Sequence, residues 1–235
     1  NTVIFTIIFG RVGKMPTMGI PGELFYFSGL LLWTYFQTAL QFSAPSLVLG
    51  ANFLRKIYFP RIIIPTSPSI AAFADFLVGS SVLIILLIVN GILPDLAILT
   101  APYFVFMSFI TVLGAGYLLS AMNVQYRDVK IVIPFLIQIW MYASVIYPFD
   151  KLPEAWGAWR YLWGLNPMAG AIEGFRWSIL HTKMVDERMI DGVMQTVQVA
   201  PPTILIAVSS VSMLIIFFAG LSYFRKKEEI FADIV

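Results

Sequence analysis

The 235-residue sequence contains no cysteine and only one histidine, and few of its residues carry charge. Without cysteine there are no disulfide bonds and no thiolate metal sites, and one histidine cannot form a histidine cluster around a metal. Charged residues make up 12% of the chain, against about 25% in a soluble domain. The net charge of +2 is too small to indicate a nucleic-acid partner.

What the chain has instead is apolar sequence, with 59% hydrophobic residues and a mean hydropathy of +0.85. About 20 apolar residues in a helix cross the hydrocarbon core of a bilayer. The runs therefore predict an all-α integral membrane protein, a single transmembrane domain over 1–235. Six spans are expected at 1–10, 24–49, 67–92, 97–122, 131–147 and 201–224. The first is truncated and begins at Asn1 rather than Met, so we expect residues to precede it.

A basic segment, A-N-F-L-R-K-I-Y-F-P-R-I-I-I-P at 51–65, separates the second and third apolar runs. It has three cationic residues and no acid, and its apolar residues recur at helical spacing until Pro60. The pattern predicts an amphipathic helix over 51–61 at the membrane–water interface. Such a helix is either a lipid anchor or a docking element for a partner protein.

Lysine and arginine in the short loops predict the orientation. The 51–66 loop has three such residues, the 122–130 loop two and the C-terminal edge three. The 92–96 turn has none and the 11–22 loop has two. This bias places the 51–61 helix and the C-terminus in the cytoplasm, and the long 148–200 segment outside.

The sequence offers little chemistry of its own. Gly10–Lys14 resembles a phosphate-binding loop but fails on spacing and on Met15, and no Ser/His/Asp set is present. Asp75 is the only ionisable residue deep in a predicted span. Such a residue is either a functional group of the transport path or a structural one that forms a hydrogen bond with a neighbouring helix inside the bundle. The energy for transport is therefore expected to come from another protein. The 51–61 helix is a candidate docking site for a soluble ATPase.

Four ordered blocks resemble the permease subunit of ATP-binding-cassette exporters for long polysaccharides, the O-antigen and teichoic-acid type. They are F-S-G-L-L-L-W at 27–33, the segment at 52–65, N-V-Q-Y-R-D-V at 123–129 running into P-F-L-I-Q-I-W at 134–140, and N-P-M-A-G-A-I-E-G-F-R-W at 166–177. The tail at 223–233, Y-F-R-K-K-E-E-I-F-A-D, also fits. The blocks run from the second span to the C-terminus. The cytoplasmic helix that precedes the first span in this family is missing.

The resemblance implies that the 51–61 helix couples the permease to its ATPase. The coupling residues would be Asn52, Phe53, Leu54, Arg55, Lys56, Ile57, Tyr58, Phe59 and Arg61. The 126–128 loop is either a second contact or an ordinary capped turn. The chain itself would be a non-catalytic subunit without a cofactor, because ATP and Mg would bind to the partner.

The expected assembly is a homodimer with two ATPase subunits in the bacterial cytoplasmic membrane, exporting a lipid-linked polysaccharide. Small residues at 114–116 would permit close helix approach, either between copies or within one chain. An ATP-driven lipid or drug exporter, and an ATP-independent channel or carrier, are the alternatives.

For the outer segment, 148–200, the resemblance implies two re-entrant helices of an extracytoplasmic gate, with breaks at Pro153 and at Asn166-Pro167. The gate residues would be Asn166, Pro167, Glu173, Arg176 and Trp177. Glu173 and Arg176, three apart on a helix, would form a surface pair contributing only tenths of a kcal/mol.

Aromatic residues supply the candidates for a sugar path, since flat rings stack on sugar rings without demanding one sugar. The channel candidates are Trp33, Tyr35, Phe36, Trp140, Tyr142 and Tyr147. The two-residue spacing of Trp33 and Tyr35, and of Trp140 and Tyr142, predicts that these rings cannot all face lipid. The competing interpretation is an interfacial aromatic belt.

Overall fold

The computed structural model describes residues 17–50, 60–93, 95–126, 128–146, 149, 152, 154–190 and 193–228. Seven α-helices lie in these ranges: α1 Gly22–Ser43, α2 Ser46–Leu49, α3 Ile63–Val89, α4 Ala101–Gln125, α5 Val129–Met141, α6 Pro167–Leu180 and α7 Thr203–Glu228. Two 3₁₀ segments, Leu96–Thr100 and Glu154–Leu165, precede α4 and α6, and a π-helical segment, Tyr142–Ile146, follows α5. A hairpin of β1 (Val185–Ile190) and β2 (Val193–Gln198) comes before α7.

Three helices of the described chain are long and apolar enough to cross a membrane. They are α3 (Ile63–Val89), the first 3₁₀ segment together with α4 (Leu96–Gln125), and α7 (Thr203–Glu228). They match the spans expected at 67–92, 97–122 and 201–224, so the chain is a multi-pass membrane protein. The first begins four residues earlier than expected, at Ile63. Pro65 is compatible with this start because the first turn of a helix leaves its N–H groups without partners.

The other expected spans differ from the prediction. The run at 24–49 is not one helix, because α1 ends at Ser43 and α2 is a separate turn. Pro45 has no N–H to continue the helical hydrogen bonds. The run at 131–147 forms only the 13-residue α5 and the π segment. The 13 residues of α5 rise roughly 20 Å by themselves, and the π segment extends the run further. The span at 1–10 lies outside the described residues.

The hairpin is the main addition to the all-α prediction. Its strands pair antiparallel from Val185 with Gln198 to Ile190 with Val193. It packs near the start of the described chain, where Val185 N donates to Met18 O at 3.0 Å. A signal for it exists in the sequence, because Asp-Gly at 191–192 is a strong two-residue hairpin turn.

Close helix packing joins α7 to α4. A Cβ added to Gly220 would lie 2.8 Å from the carbonyl carbon of Gly114, so the two backbones touch there. Gly116 likewise faces Ser43 of α1, at 3.2 Å from a built Cβ. The small residues at 114–116 therefore pack within one chain, which was one of the two alternatives.

Asp75 does not face the bundle interior, where the structural interpretation placed its hydrogen bond to a neighbouring helix. It lies on the exposed side of α3, between the exposed residues Ala74 and Leu77. Within the described part of the chain, its carboxylate therefore makes no hydrogen bond in the bundle interior. The sequence indicated the depth of Asp75 in the span but not the side of the helix that it occupies.

Candidate functional site

The candidate site is centred on α6, a short helix enclosed by other elements. All of its 14 residues except Trp177 are buried. It contacts α1, α4, α7, the π segment and both 3₁₀ segments. Fourteen residues rise roughly 21 Å, which is too short to cross a membrane. The helix is therefore a short, enclosed element and not a span of its own.

Asn166 and Pro167 start this helix as the sequence predicts. Asn166 is the N-cap, and its Oδ1 accepts a hydrogen bond from Met168 N at 3.1 Å. Pro167 occupies the first turn, where no N–H is needed. Asn166 also contacts the π segment: its Nδ2 donates a hydrogen bond to Ser144 Oγ at 2.6 Å. A single side chain therefore caps α6 and ties it to the π segment.

Arg176 is the second link between α6 and the π segment. Its Nη1 donates to Glu173 Oε1 at 3.0 Å, and its Nη2 donates to the carbonyl oxygen of Val145 at 2.6 Å. The guanidinium carbon lies 4.1 Å from the centre of the Phe25 ring in α1. Arg176 therefore joins three elements: α1, the π segment and α6.

The prediction of an exposed Glu173–Arg176 pair is wrong. The side chains of Arg176 and Glu173 are 0% and 5% exposed. The three-residue spacing does bring the two charges together, but the face that carries them meets protein rather than water. Removing one partner would leave the other charge buried, which typically costs about 3–5 kcal/mol rather than tenths.

Gly29 in α1 is a site residue that the sequence analysis did not select. A Cβ added there would lie 2.8 Å from the guanidinium carbon of Arg176, so any larger residue would push the guanidinium out of its present position. The residue belongs to the F-S-G-L-L-L-W block. A lone glycine inside a helical pattern was the available signal, since it often marks a close approach.

The π segment explains why these polar contacts are needed. Irregular backbone at membrane depth is tolerated only where protein or trapped water satisfies its polar groups. Arg176 satisfies the carbonyl of Val145, and Asn166 bonds to the hydroxyl of Ser144, which itself donates to Trp140 O at 2.9 Å. The arrangement makes the end of α5 and the start of α6 one connected unit.

The channel candidates fall on two sides of α1. Trp33 and Phe36 pack against Trp140 of α5, with ring centres 6.4 and 5.1 Å from it. Tyr35 packs instead against Phe73 and Phe76 of α3. The aromatic residues of α1 therefore point to two different neighbouring helices.

Exposure also separates these candidates. Trp33, Tyr35 and Phe36 are buried, whereas Tyr142 is 50% exposed. Tyr147 lies outside the described residues. Trp177, expected in the gate, is partly buried, and its Nε1 donates to Val199 O at 3.2 Å. A role of these rings in binding a polymer stays a prediction.

Most of the predicted coupling helix cannot be placed, because residues 51–59 lie outside the described ranges. That group comprises Asn52, Phe53, Leu54, Arg55, Lys56, Ile57, Tyr58 and Phe59. Arg61 is described and lies in a turn before α3, so the helix does not extend to 61 as expected. Its Nη1 donates to the carbonyl oxygen of Glu228, at the end of α7.

We expect replacement of Asn166 by alanine to lower the free energy of unfolding by about 1–2 kcal/mol, the usual value of a lost N-cap. Asn166→Asp keeps the capping oxygen but loses the bond to Ser144, and Ser144→Ala loses the same bond from the other side. These two variants should therefore lose similar amounts, both less than Asn166→Ala. Thermal unfolding in detergent measures all three, and an alanine variant as stable as the wild type would contradict the cap.

Comparison with known proteins places this architecture in a family. The chain matches the ABC-2 type transporter family over residues 1–180. It is 24% identical over 234 residues to the O-antigen export system permease protein RfbA of Myxococcus xanthus, covering 99% of this chain and 83% of that protein. It is 26% identical over 241 residues to an O-antigen export system permease protein RfbA of Klebsiella pneumoniae, covering 100% of this chain and 85% of that protein. The chain belongs to the ABC-2 type transporter family.

Proposed function

We propose that the chain is the membrane-spanning channel subunit of an ATP-driven exporter of lipid-linked, O-antigen-like polysaccharide. The observation that carries the proposal is the family match, together with alignments over nearly the whole chain to permeases named for O-antigen export. The enclosed α6 helix supports it, because an exporter of long polymers needs a closable outer end.

The proposed assembly is a homodimer with two ATPase subunits in the cytoplasmic membrane. The permease is non-catalytic and needs no cofactor, since ATP and Mg bind to the ATPase. The six-span topology, with α1 and α5 as parts of spans and the C-terminus in the cytoplasm, belongs to this proposal. The basic residues 225–227 in the last turn of α7 support that orientation.

The polymer path is proposed along the aromatic residues of α1 and α5. Tyr142 is half-exposed and Trp140 partly buried, so a polymer would meet these two rings first. Trp33 and Phe36 lie directly behind Trp140 and support its orientation. Tyr35 faces α3 and would be reached only after helix movement.

One observation favours an alternative, an ATP-driven exporter of lipids or drugs. An apolar groove of about 740 Å³ opens between α3 and α4, with Phe175 and Ile179 of α6 among its lining residues. Its volume falls within the range of about 300–1,000 Å³ typical of small-molecule sites. Transport of polymer but not of small amphiphiles would exclude this alternative.

The ATPase-coupling proposal is tested by co-purification of the complex. We expect Phe53→Ala and Tyr58→Ala each to weaken ATPase association about tenfold or more, because aromatic anchors dominate most interfaces. Phe218→Ala is the matched control, since this ring is 59% exposed on α7 and should not affect binding. Association and polymer export that survive both substitutions would refute the coupling role.

A further inference from the structure

We infer that α7 is the rigid link between the ATPase-coupling segment and the gate helix α6, with Arg61 and Ser209 as the positioning residues at its two ends. The inference rests on the proposed function and specifies how the ATPase would act on the gate. It follows from contacts at three points along one helix.

The first contact is at the C-terminal end of α7. Arg61 is the last of the predicted coupling residues, and it donates to the carbonyl oxygen of Glu228. Such carbonyls lack partners within the helix, and the C-terminal end of a helix favours a cation. Ile62 and Ile64 pack in the same apolar cluster as the fully buried Phe224. The end of the coupling segment is thus attached to α7 by the polar bond of Arg61, and the next residues are attached by packing.

The second contact joins the other end of α7 to the gate. Ser209 is fully buried, and its Oγ lies 3.0 Å from Gly164 O and 3.3 Å from Asn166 O. These carbonyls lie on the chain immediately before α6. Gly170 of α6 has no side chain and rests directly against Ser209. The start of the gate helix is therefore held on α7.

Between these contacts α7 is an uninterrupted helix. The 20 residues from Ser209 to Glu228 span roughly 29 Å. Gly220 touches the backbone of Gly114 in α4 and provides a close contact on which the helix can rock. A displacement of Arg61 would then move Glu228 in one direction and the Ser209 end in the other.

A competing route runs through α3, which is covalently joined to the coupling segment. Its aromatic contact with α6 is between Phe76 and Phe175, whose ring centres are 6.3 Å apart. That contact is apolar and carries no directional hydrogen bond. Ser209, by contrast, bonds to the residue that caps α6, so α7 has the more specific connection.

The test uses the full permease–ATPase complex in proteoliposomes and measures polymer exported per ATP hydrolysed. We expect Arg61→Ala and Ser209→Ala each to lower this ratio at least fivefold while the ATPase stays bound. Arg61→Lys keeps the cationic donor and should retain most of the ratio. Arg225→Ala, an exposed cation in the last turn of α7, and Ser210→Ala, the neighbouring hydroxyl, are the matched controls. The double variant Arg61→Ala/Ser209→Ala should export as much polymer per ATP as the single variant with the lower ratio, because both residues act on one link.

A second readout does not depend on the polymer. Because the chain has no cysteine, a single cysteine at the 75% exposed Trp159 places a spin label on the 3₁₀ segment before α6. We expect ATP to change the label's mobility in the wild type but not in Arg61→Ala or Ser209→Ala. An ATP response that persists in both variants overturns the link. Loss of ATPase binding in Arg61→Ala also overturns it, because Arg61 would then be a docking residue. A normal ATP response without any polymer export supports the link and contradicts the proposed function.

Discussion

Replacing Arg176 by methionine is expected to destabilise the protein by about 3–5 kcal/mol, because the buried carboxylate of Glu173 then loses the guanidinium that neutralises it. The same change removes the donor to the carbonyl of Val145 and the cation above the Phe25 ring. The π segment would lose one of its two polar links to α6 and keep only the bond between Asn166 and Ser144. Export should therefore fall to background even in the fraction of protein that still folds.

A double variant separates the cost of the orphaned charge from the loss of the link. In Glu173→Gln/Arg176→Met no buried charge remains, so most of the lost stability should return. The link to Val145 stays absent, and export should stay low. Lys183→Ala is the surface control, an exposed cation shortly after α6, with an expected effect within about 0.5 kcal/mol. Thermal unfolding in detergent and export in vesicles give the two readouts. A single variant as stable as the wild type would contradict the buried pair.

Replacing Gly220 by alanine is expected to have the second largest effect, a loss of about 1–3 kcal/mol or more. The new methyl group would lie 2.8 Å from the carbonyl carbon of Gly114, a backbone atom that cannot rotate away. The helices α4 and α7 must then separate along their contact. Because α7 also contacts α6, we expect export to fall as well.

Ala219→Val is the matched control for this substitution. Ala219 is the exposed neighbour of Gly220 on α7, so additional volume there meets no helix of the described chain. We expect its unfolding midpoint to stay near that of the wild type, with a change within about 0.5 kcal/mol. Equal midpoints for Gly220→Ala and the wild type would show that the helices are not in backbone contact.

Local chemistry made several features predictable from sequence. Asn166 followed by Pro167 is a helix start, because the amide caps the free N–H groups and proline fits the first turn. The apolar runs at 67–92, 97–122 and 201–224 became membrane-length helices. In each case the residues that define the feature are neighbours in the chain.

Features that depend on distant residues were not predictable in the same way. The three-residue spacing of Glu173 and Arg176 places them on one face of a helix. It does not tell whether that face contacts water or other helices. Asp75 shows the converse, since its depth in a span indicated an interior position and α3 exposes it. Periodicity defines the faces of a helix but does not say which neighbour covers each one.

The sequence by itself determined that this chain is a helical membrane protein, and its ordered motifs indicated the exporter type. Only the tertiary structure decided that α6 is enclosed and that Arg176, packed against Gly29 of α1, joins α6 to the π segment. It also decided that α7 contacts both Arg61 and the start of α6. The physical reason is that hydropathy and capping act over a few residues. Burial of a charge, by contrast, depends on helices that are far apart in sequence and meet only in the folded bundle.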